Sequence, residues 1–243
     1  MNSIKNSLYK SFESPARSQG VFGADKDRQP DDWKSEVKEA VMEAADVGIL
    51  LTDSAGLAGK AEHLMGIGTA VTGAYFAYEG ATMMKKAIKE KDAVGAVSAS
   101  SYLTAATGQA GLTAGYLAGL KPIAAAVGPV VAAALQNPLV KTLSTGTFVL
   151  HGALEVGLGA REVYMGKKTH DKKRVVRGLL EMGMGAAVGA ICLGAGLPAG
   201  IALVGLFGAQ LWTDRKELAD AARTIVKKVK DRFSPGHGTP NDG

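Results

Sequence analysis

Apolar and polar positions follow one another in long blocks along this chain of 243 residues. A polar start leads into apolar stretches separated by short basic or proline-containing breaks, and basic residues return near the end. Within the blocks the apolar residues recur at helical spacing, as in the face shared by Trp33, Val37 and Val41. The pattern predicts an all-α protein of six to seven helices.

Two of the predicted units are Gly/Ala-rich helical hairpins with basic turns. The first covers about residues 62–120 and turns at KKAIKEKD, and the second covers about residues 142–197 and turns at GKKTHDKK. With an offset of 79 residues, Gly73 falls on Gly152, and the two basic turns coincide. This agreement favours an internal duplication of one helix–turn–helix unit.

Proline and glycine mark the other breaks. The segment from Pro122 to Val140 is too interrupted to form one long helix, and a hinge is predicted at Leu197-Pro198-Ala199-Gly200. A last helix is predicted from the hinge to Phe233. Residues 1–30 and 234–243 are predicted to be disordered because they are polar and lack periodicity. Residues 31–233 then form one helical domain.

The composition explains how such helices would pack. Apolar residues make up 47% of the chain, but aromatic residues make up only 6%, and 32 residues are glycine. Glycines spaced four apart form stripes that let helix backbones approach closely. The predicted helix-packing stripes consist of Gly111, Gly115, Gly119, Gly185, Gly189, Gly196 and Gly200.

An uncharged stretch from Met182 to Thr213 indicates contact with a membrane. A transmembrane helix needs about 20 mainly apolar residues, and this stretch and Ala93–Leu120 are both long enough. The insertion energy is small: nine Val, Ile, Leu or Phe residues in Ala186–Gly208 contribute roughly −4 kcal/mol, largely offset by six glycines and Pro198. Such a balance suits a protein that is held by helix packing or that enters a bilayer from a compact state.

Basic residues lie outside the apolar blocks. The clusters Lys85–Lys91, Lys167–Arg177 and Arg215–Arg232 would all lie on one side of a membrane, as the positive-inside rule requires. The last cluster belongs to a basic amphipathic helix that is predicted to lie on an anionic lipid surface, or alternatively to pack on its own bundle. Its predicted membrane-surface residues are Lys216, Arg223, Lys227, Lys228, Lys230 and Arg232.

No catalytic or cofactor-binding pattern is visible in the sequence. The four histidines lie in different segments, and the single cysteine, Cys192, lies in the longest apolar run. The sequence therefore predicts no enzyme, no cofactor and no metal site, and the basic residues lack the interleaved aromatic residues expected for nucleic-acid binding. His151 and Glu155, four residues apart, are predicted to form a satisfied polar pair in the bundle, with a proton-sensitive pair as the alternative.

Paired Gly/Ala-rich hairpins behind a polar start resemble bacterial secreted effectors and translocators that insert helical hairpins into target membranes. The resemblance covers about residues 62–213 and is carried by the stripes at Gly111–Gly119 and Gly185–Gly200 and by the basic turns. It implies secretion, a secretion chaperone, and a leader within residues 1–23, for which a transit peptide or plain disorder are the alternatives.

Two functions are compatible with these patterns. The first is a non-enzymatic, membrane-inserting protein that remodels or permeabilises a target membrane or displays partner-binding ends there. Its partners would be an anionic bilayer and a second copy or another helical protein, and its location a host, target, organelle or inner membrane. The second is a soluble or peripheral all-α scaffold that buries its glycine stripes in its own bundle or in an oligomer.

Overall fold

The computed structural model describes residues 33–55 and 62–216, and residues 219, 220, 223, 224, 226 and 227. In this part of the chain all regular secondary structure is helical, which confirms the all-α prediction. Six helices have 18 to 31 residues and two have seven. They are α1 (Trp33–Ser54), α2 (Glu62–Glu90), α3 (Ala93–Gly119), α4 (Lys121–Val127), α5 (Pro129–Leu135), α6 (Pro138–Lys168), α7 (Lys172–Ala190) and α8 (Gly196–Thr213), with a π-helical segment, Ile191–Ala195, between the last two.

The six long helices form a closed ring. Each packs mainly on two others, in the order α1, α2, α3, α6, α7, α8 and back to α1. Neighbouring helices run antiparallel: Lys38 near the start of α1 pairs with Glu79 in the second half of α2, for example, and Ile49 lies against Gly68. The short helices α4 and α5 connect α3 to α6 across one end of the ring.

The two hairpins, α2–α3 and α6–α7, close with the same turn. Lys91 and His170 both have left-handed backbone angles, with φ of 54° and 56°. The amide of the following aspartate, Asp92 or Asp171, donates to a carbonyl five residues back at 2.8 Å, and its carboxylate caps the next helix. The turns therefore repeat with the 79-residue offset on which the predicted duplication rests.

Glycines bring α6 and α7 into backbone contact. Gly152 and Gly159 on α6 face Gly185 and Gly178 on α7. A Cβ atom on Gly159 would lie only 2.5 Å from the carbonyl oxygen of Gly178, so any larger residue would push the backbones apart. The glycines of each helix are seven residues apart, which is close to two full helical turns.

The α2–α3 hairpin repeats this spacing with looser contacts. Gly66, Gly73 and Gly80 are seven residues apart and all face α3. A Cβ atom on Gly80 would lie 2.9 Å from the side chain of Leu103. In this hairpin the neighbours closest to these glycines are side chains rather than backbone.

The break between α7 and α8 lies before the predicted hinge at Leu197–Gly200. Gly194 has φ 96° and ψ 10°, and Gly196 has φ 54° and ψ −136°, whereas Pro198 lies in the first turn of α8. Residues with a side chain avoid these backbone angles, so glycine determines where the chain turns. The first turn of a helix tolerates proline because its amide needs no helical partner there.

The predicted last helix is also interrupted. Helix α8 ends at Thr213, and Asp214 forms its C-cap with φ −99° and ψ 7°. The carboxylate of Asp214 is fully buried against Arg177 of α7, and this ion pair holds the chain where α8 ends. Helical structure resumes at Arg215, while the predicted end of this helix at Phe233 lies outside the described residues. So do the predicted disordered segments, 1–30 and 234–243.

We expect the α6–α7 contact to be intolerant of a single methyl group. Gly159→Ala should lower the free energy of unfolding by about 1–3 kcal/mol, because the new Cβ atom meets backbone on α7. Gly157→Ala on the same helix should raise it by about 0.5–1 kcal/mol, because no atom lies within 4 Å and alanine favours the helix. Urea unfolding of the two variants measures both values, and equal effects would contradict the close approach.

Candidate functional site

All six long helices contribute to one internal cavity of about 120 Å³. Its apolar wall includes Leu50 of α1, Phe76 of α2, Val188 of α7, and Leu203 and Phe207 of α8. The cavity arises from the closed ring, since each helix turns one face toward the centre.

Five carboxylic acids line the same cavity. In the described part of its lining there is one histidine and no lysine or arginine. No three acidic, histidine or cysteine side chains among the described residues are placed to share a metal ion. The acids and the histidine are Glu43 and Asp46 of α1, His151, Glu155 and Glu162 of α6, and Glu181 of α7.

Asp46 is held deep in the ring by α3. It is 9% exposed, and Nε2 of the fully buried Gln109 donates a hydrogen bond to its Oδ1. Burial raises the pKa of Asp46 from 3.8 to about 7, and the hydrogen bond from Gln109 offsets part of that rise. Asp46 is therefore partly protonated at neutral pH.

The pair predicted from helical spacing, His151 and Glu155, meets a serine of α3. Ser101 Oγ lies 2.8 Å from His151 Nδ1 and donates to Glu155 Oε1 at 2.5 Å. His151 Nδ1 and Glu155 Oε1 are 4.0 Å apart. The three side chains link α3 to α6 at the edge of the cavity.

Two buried carboxylates, those of Glu162 and Asp214, form ion pairs at the end of the ring that contains the hairpin turns. Glu162 accepts from Arg161 at 2.8 Å and from Arg174 at 2.6 Å. Asp214 accepts from Arg177 Nε at 2.7 Å. These contacts join α6 to α7 and the end of α8 to the start of α7, and none was predicted from the sequence.

Many large apolar side chains lie on the outside of the ring. Among the described residues, 21 large apolar or aromatic side chains are exposed and 11 are buried, while eight buried alanines fill the helix interfaces. Buried positions instead include polar residues such as Thr69, Ser101, Gln109 and Gln210. Small and polar residues therefore fill much of the helix interfaces, and a large apolar area faces outward.

The two ends of the ring differ in character. We call the end formed by the two hairpin turns the basic end, because it carries most of the clusters Lys85–Lys91 and Lys167–Arg177. The opposite end, formed by α4, α5 and the π-helical segment, is called the apolar end. It also carries the exposed Lys121 and Lys141. Its exposed apolar residues include Val130, Val131, Leu139, Leu143, Leu193 and Leu197.

One stretch of the described chain is long and apolar enough to cross a membrane. It covers α7, the π-helical segment and α8 (Lys172–Thr213), and only 17% of its most apolar part is buried. Because the chain folds back at Gly194, this stretch is a hairpin whose tip lies at the apolar end. Length and composition alone are weak support for a membrane span.

The seven predicted packing glycines do not act together. Gly111 lies against α6, where a Cβ atom would be 2.7 Å from Ser144, and Gly185 makes the backbone contact with Gly152. Gly200 is buried in α8. In contrast, Gly115 and Gly189 face open space, Gly119 is exposed, and Gly196 belongs to the hinge. The four-residue stripes are therefore not the main helix contacts.

The glycines that do meet backbone were missed by the sequence reasoning. Gly152 and Gly159 are seven residues apart on α6, and Gly178 lies seven residues before Gly185 on α7. A search for seven-residue spacing of small residues in both halves of a hairpin would have found them.

The basic residues predicted for the membrane surface are partly described. Lys216, Arg223 and Lys227 are exposed on helical positions. Lys228, Lys230 and Arg232 lie outside the described residues. At the start of this segment Arg215 lies 4.3 Å from the ring centre of the exposed Trp212, which places a cation–aromatic pair at the end of α8.

Comparison of the chain with protein-family models, with curated proteins and with solved structures gave no match. The resemblance to secreted membrane-inserting proteins therefore stays a prediction.

The protonation of Asp46 should make stability depend on pH. Between about pH 4 and pH 7 Asp46 is ionised in the unfolded chain but keeps its proton in the folded protein. The contribution of Asp46 to the free energy of unfolding is therefore complete below pH 4 and is lost as the pH rises through 7. Asp46→Asn keeps an acceptor for Gln109 and should flatten this dependence. Thermal unfolding at pH 5 and pH 8 measures it, and an equal change in melting temperature for both proteins would contradict the assignment.

Proposed function

We propose that this protein inserts its apolar end, led by the α7–α8 hairpin, into a lipid bilayer while the basic end stays at the anionic surface. It acts without catalysis, as an effector-like protein that remodels or permeabilises the membrane or displays its ends to partners there. The observation that carries the proposal is the exposed apolar hairpin tip, with Leu193 79% and Leu197 46% exposed.

The dimensions of α8 support this proposal. Its 18 residues carry no charge and extend over about 27 Å, close to the roughly 30 Å of a bilayer's hydrocarbon core. Along it Ile201 and Val204 are exposed, and it ends at Trp212 and Arg215. Tryptophan and arginine are typical of the membrane–water interface, so the C-terminal end of α8 suits a position at that interface.

Charge also favours insertion by one end only. The basic end would attract anionic headgroups, while few charges oppose entry of the apolar end. The exposed Lys121 and Lys141 are long enough to extend toward headgroups rather than remain in hydrocarbon.

Cys192, the single cysteine of the chain, lies at the hairpin tip and reports directly on insertion. A nitrobenzoxadiazole label on Cys192 should shift to the blue with vesicles rich in phosphatidylserine and be quenched by lipids spin-labelled deep in their chains. A label at the basic end, on Lys89→Cys in a Cys192→Ser background, should show neither change. Deep quenching of both labels, or of neither, would contradict insertion by the apolar end.

A charge at the hairpin tip should block insertion. Transfer of the Leu193 side chain from water into the bilayer is favourable, whereas transfer of an aspartate in its place costs about 3 kcal/mol. Vesicle binding of Leu193→Asp should therefore weaken about 100-fold. Ile88→Asp is the matched control, because Ile88 is 70% exposed but lies at the basic end. Vesicle flotation with both variants measures the difference. Equal binding of the two would show that the tip does not enter the bilayer.

The second candidate, a scaffold, is favoured by the same exposed surface. An apolar patch of this kind would also be buried by a second copy of the chain or by an apolar groove of a helical partner. Concentration-dependent dimerisation without lipid, lost in Leu193→Asp, together with no vesicle binding, would favour the scaffold over the membrane protein.

A further inference from the structure

Gln210 of α8 points to a ligand for the central cavity. It lines the cavity and is only 6% exposed. Among the described residues, no hydrogen-bond donor lies within reach of its Oε1 atom. A buried acceptor without a donor costs about 1–3 kcal/mol, so a site that keeps one is suited to a molecule that brings its own donor.

The chemistry around Gln210 specifies a cation. The described lining residues offer acidic groups and no lysine or arginine. Glu162 already has Arg161 and Arg174, Glu155 has Ser101, and one oxygen of Asp46 has Gln109, while Glu43 and Glu181 are half-buried in the same lining. A positively charged donor would satisfy Gln210 and compensate these carboxylates together.

The volume and the apolar wall of the cavity indicate the size of the ligand and the nature of its uncharged part. The volume of about 120 Å³ is somewhat below the 150 Å³ or so of an engineered cavity that accepts benzene. Phe76, Val188, Leu203 and Phe207 provide apolar contacts for a short hydrocarbon chain. Tyr102, His151 and Glu155 of the lining are half-buried.

We propose that the cavity binds a small organic cation, a primary alkylammonium, with its ammonium group among Gln210, Asp46 and Glu181 and its chain against the apolar wall. This inference concerns the closed ring in solution, and it does not depend on the proposed membrane insertion.

Calorimetric titration of the full chain with n-butylammonium chloride, at constant total chloride, tests the proposal. Butylammonium should bind at least tenfold more tightly than n-butanol, which has the same chain but no charge. Equal binding of both would overturn the proposal in favour of a merely apolar cavity, and binding of neither would overturn it altogether.

Gln210→Leu separates this site from other acidic surfaces. The variant removes a buried acceptor without a partner and keeps the side-chain size, so it should fold while losing at least tenfold in affinity for butylammonium. Gln136→Leu, at an exposed glutamine after α5, should bind as the unchanged protein does. Unchanged affinity in Gln210→Leu would place the cation elsewhere and overturn the proposal.

A second measurement needs no variant. In methyl NMR spectra of the unchanged protein, butylammonium should shift the signals of Val188 and Leu203, which line the cavity, and leave those of Ile88 and Val130 unchanged. Shifts confined to the exposed residues would likewise overturn the proposal.

Discussion

Backbone contact between α6 and α7 governs how the rest of this protein is arranged. Gly152 and Gly159 meet Gly185 and Gly178 with no room for a methyl group between them. Helices that touch in this way have no space at their interface for leucine or phenylalanine. Alanine, serine and threonine fill the neighbouring interfaces, and many of the large apolar side chains are exposed on the outer surface. Van der Waals contact between backbones then provides much of the packing that large side chains supply in other proteins.

A ring of helices with small interface residues also has a polar centre. The inward faces carry Asp46, Gln109, Ser101 and Gln210, which are bonded across helices or aimed into the cavity. Each bond is strong in this low-dielectric interior, and each unpaired group is costly there. The centre therefore fixes the mutual position of the helices and gives the cavity its preference for a positively charged molecule. The outside, by contrast, is apolar at one end and basic at the other, which is the basis of the proposed entry into a bilayer.

Much of the architecture followed from the sequence, and the departures have physical causes. Long apolar blocks with helical spacing predicted the all-α class, and the basic turns marked both hairpins, because local periodicity and charge determine these features. The four-residue glycine stripes were a poor guide, since Gly115 and Gly189 face open space. The face that a helix turns toward its neighbour depends on the antiparallel pairing of whole helices. In this protein the seven-residue spacing of Gly152 and Gly159 indicates that face.

The cavity could not have been predicted in the same way. Asp46, Glu155 and Glu181 lie on three different helices, far apart in the chain, and come together only because the ring closes. The ion pair between Arg177 and Asp214 likewise joins residues on different helices, and it ends α8 earlier than periodicity alone suggests. The hinge lies at Gly194 rather than at the predicted Leu197–Gly200, because the backbone angles open to glycine, and not the nearby proline, decide where an apolar helix can fold back.

Flotation of the full-length protein with anionic vesicles, followed by an alkaline carbonate wash, tests most directly whether the apolar end belongs in lipid. Retention of the protein with the vesicles after the wash is the predicted result. Complete release, from a protein that is a stable monomer in plain buffer, would contradict it.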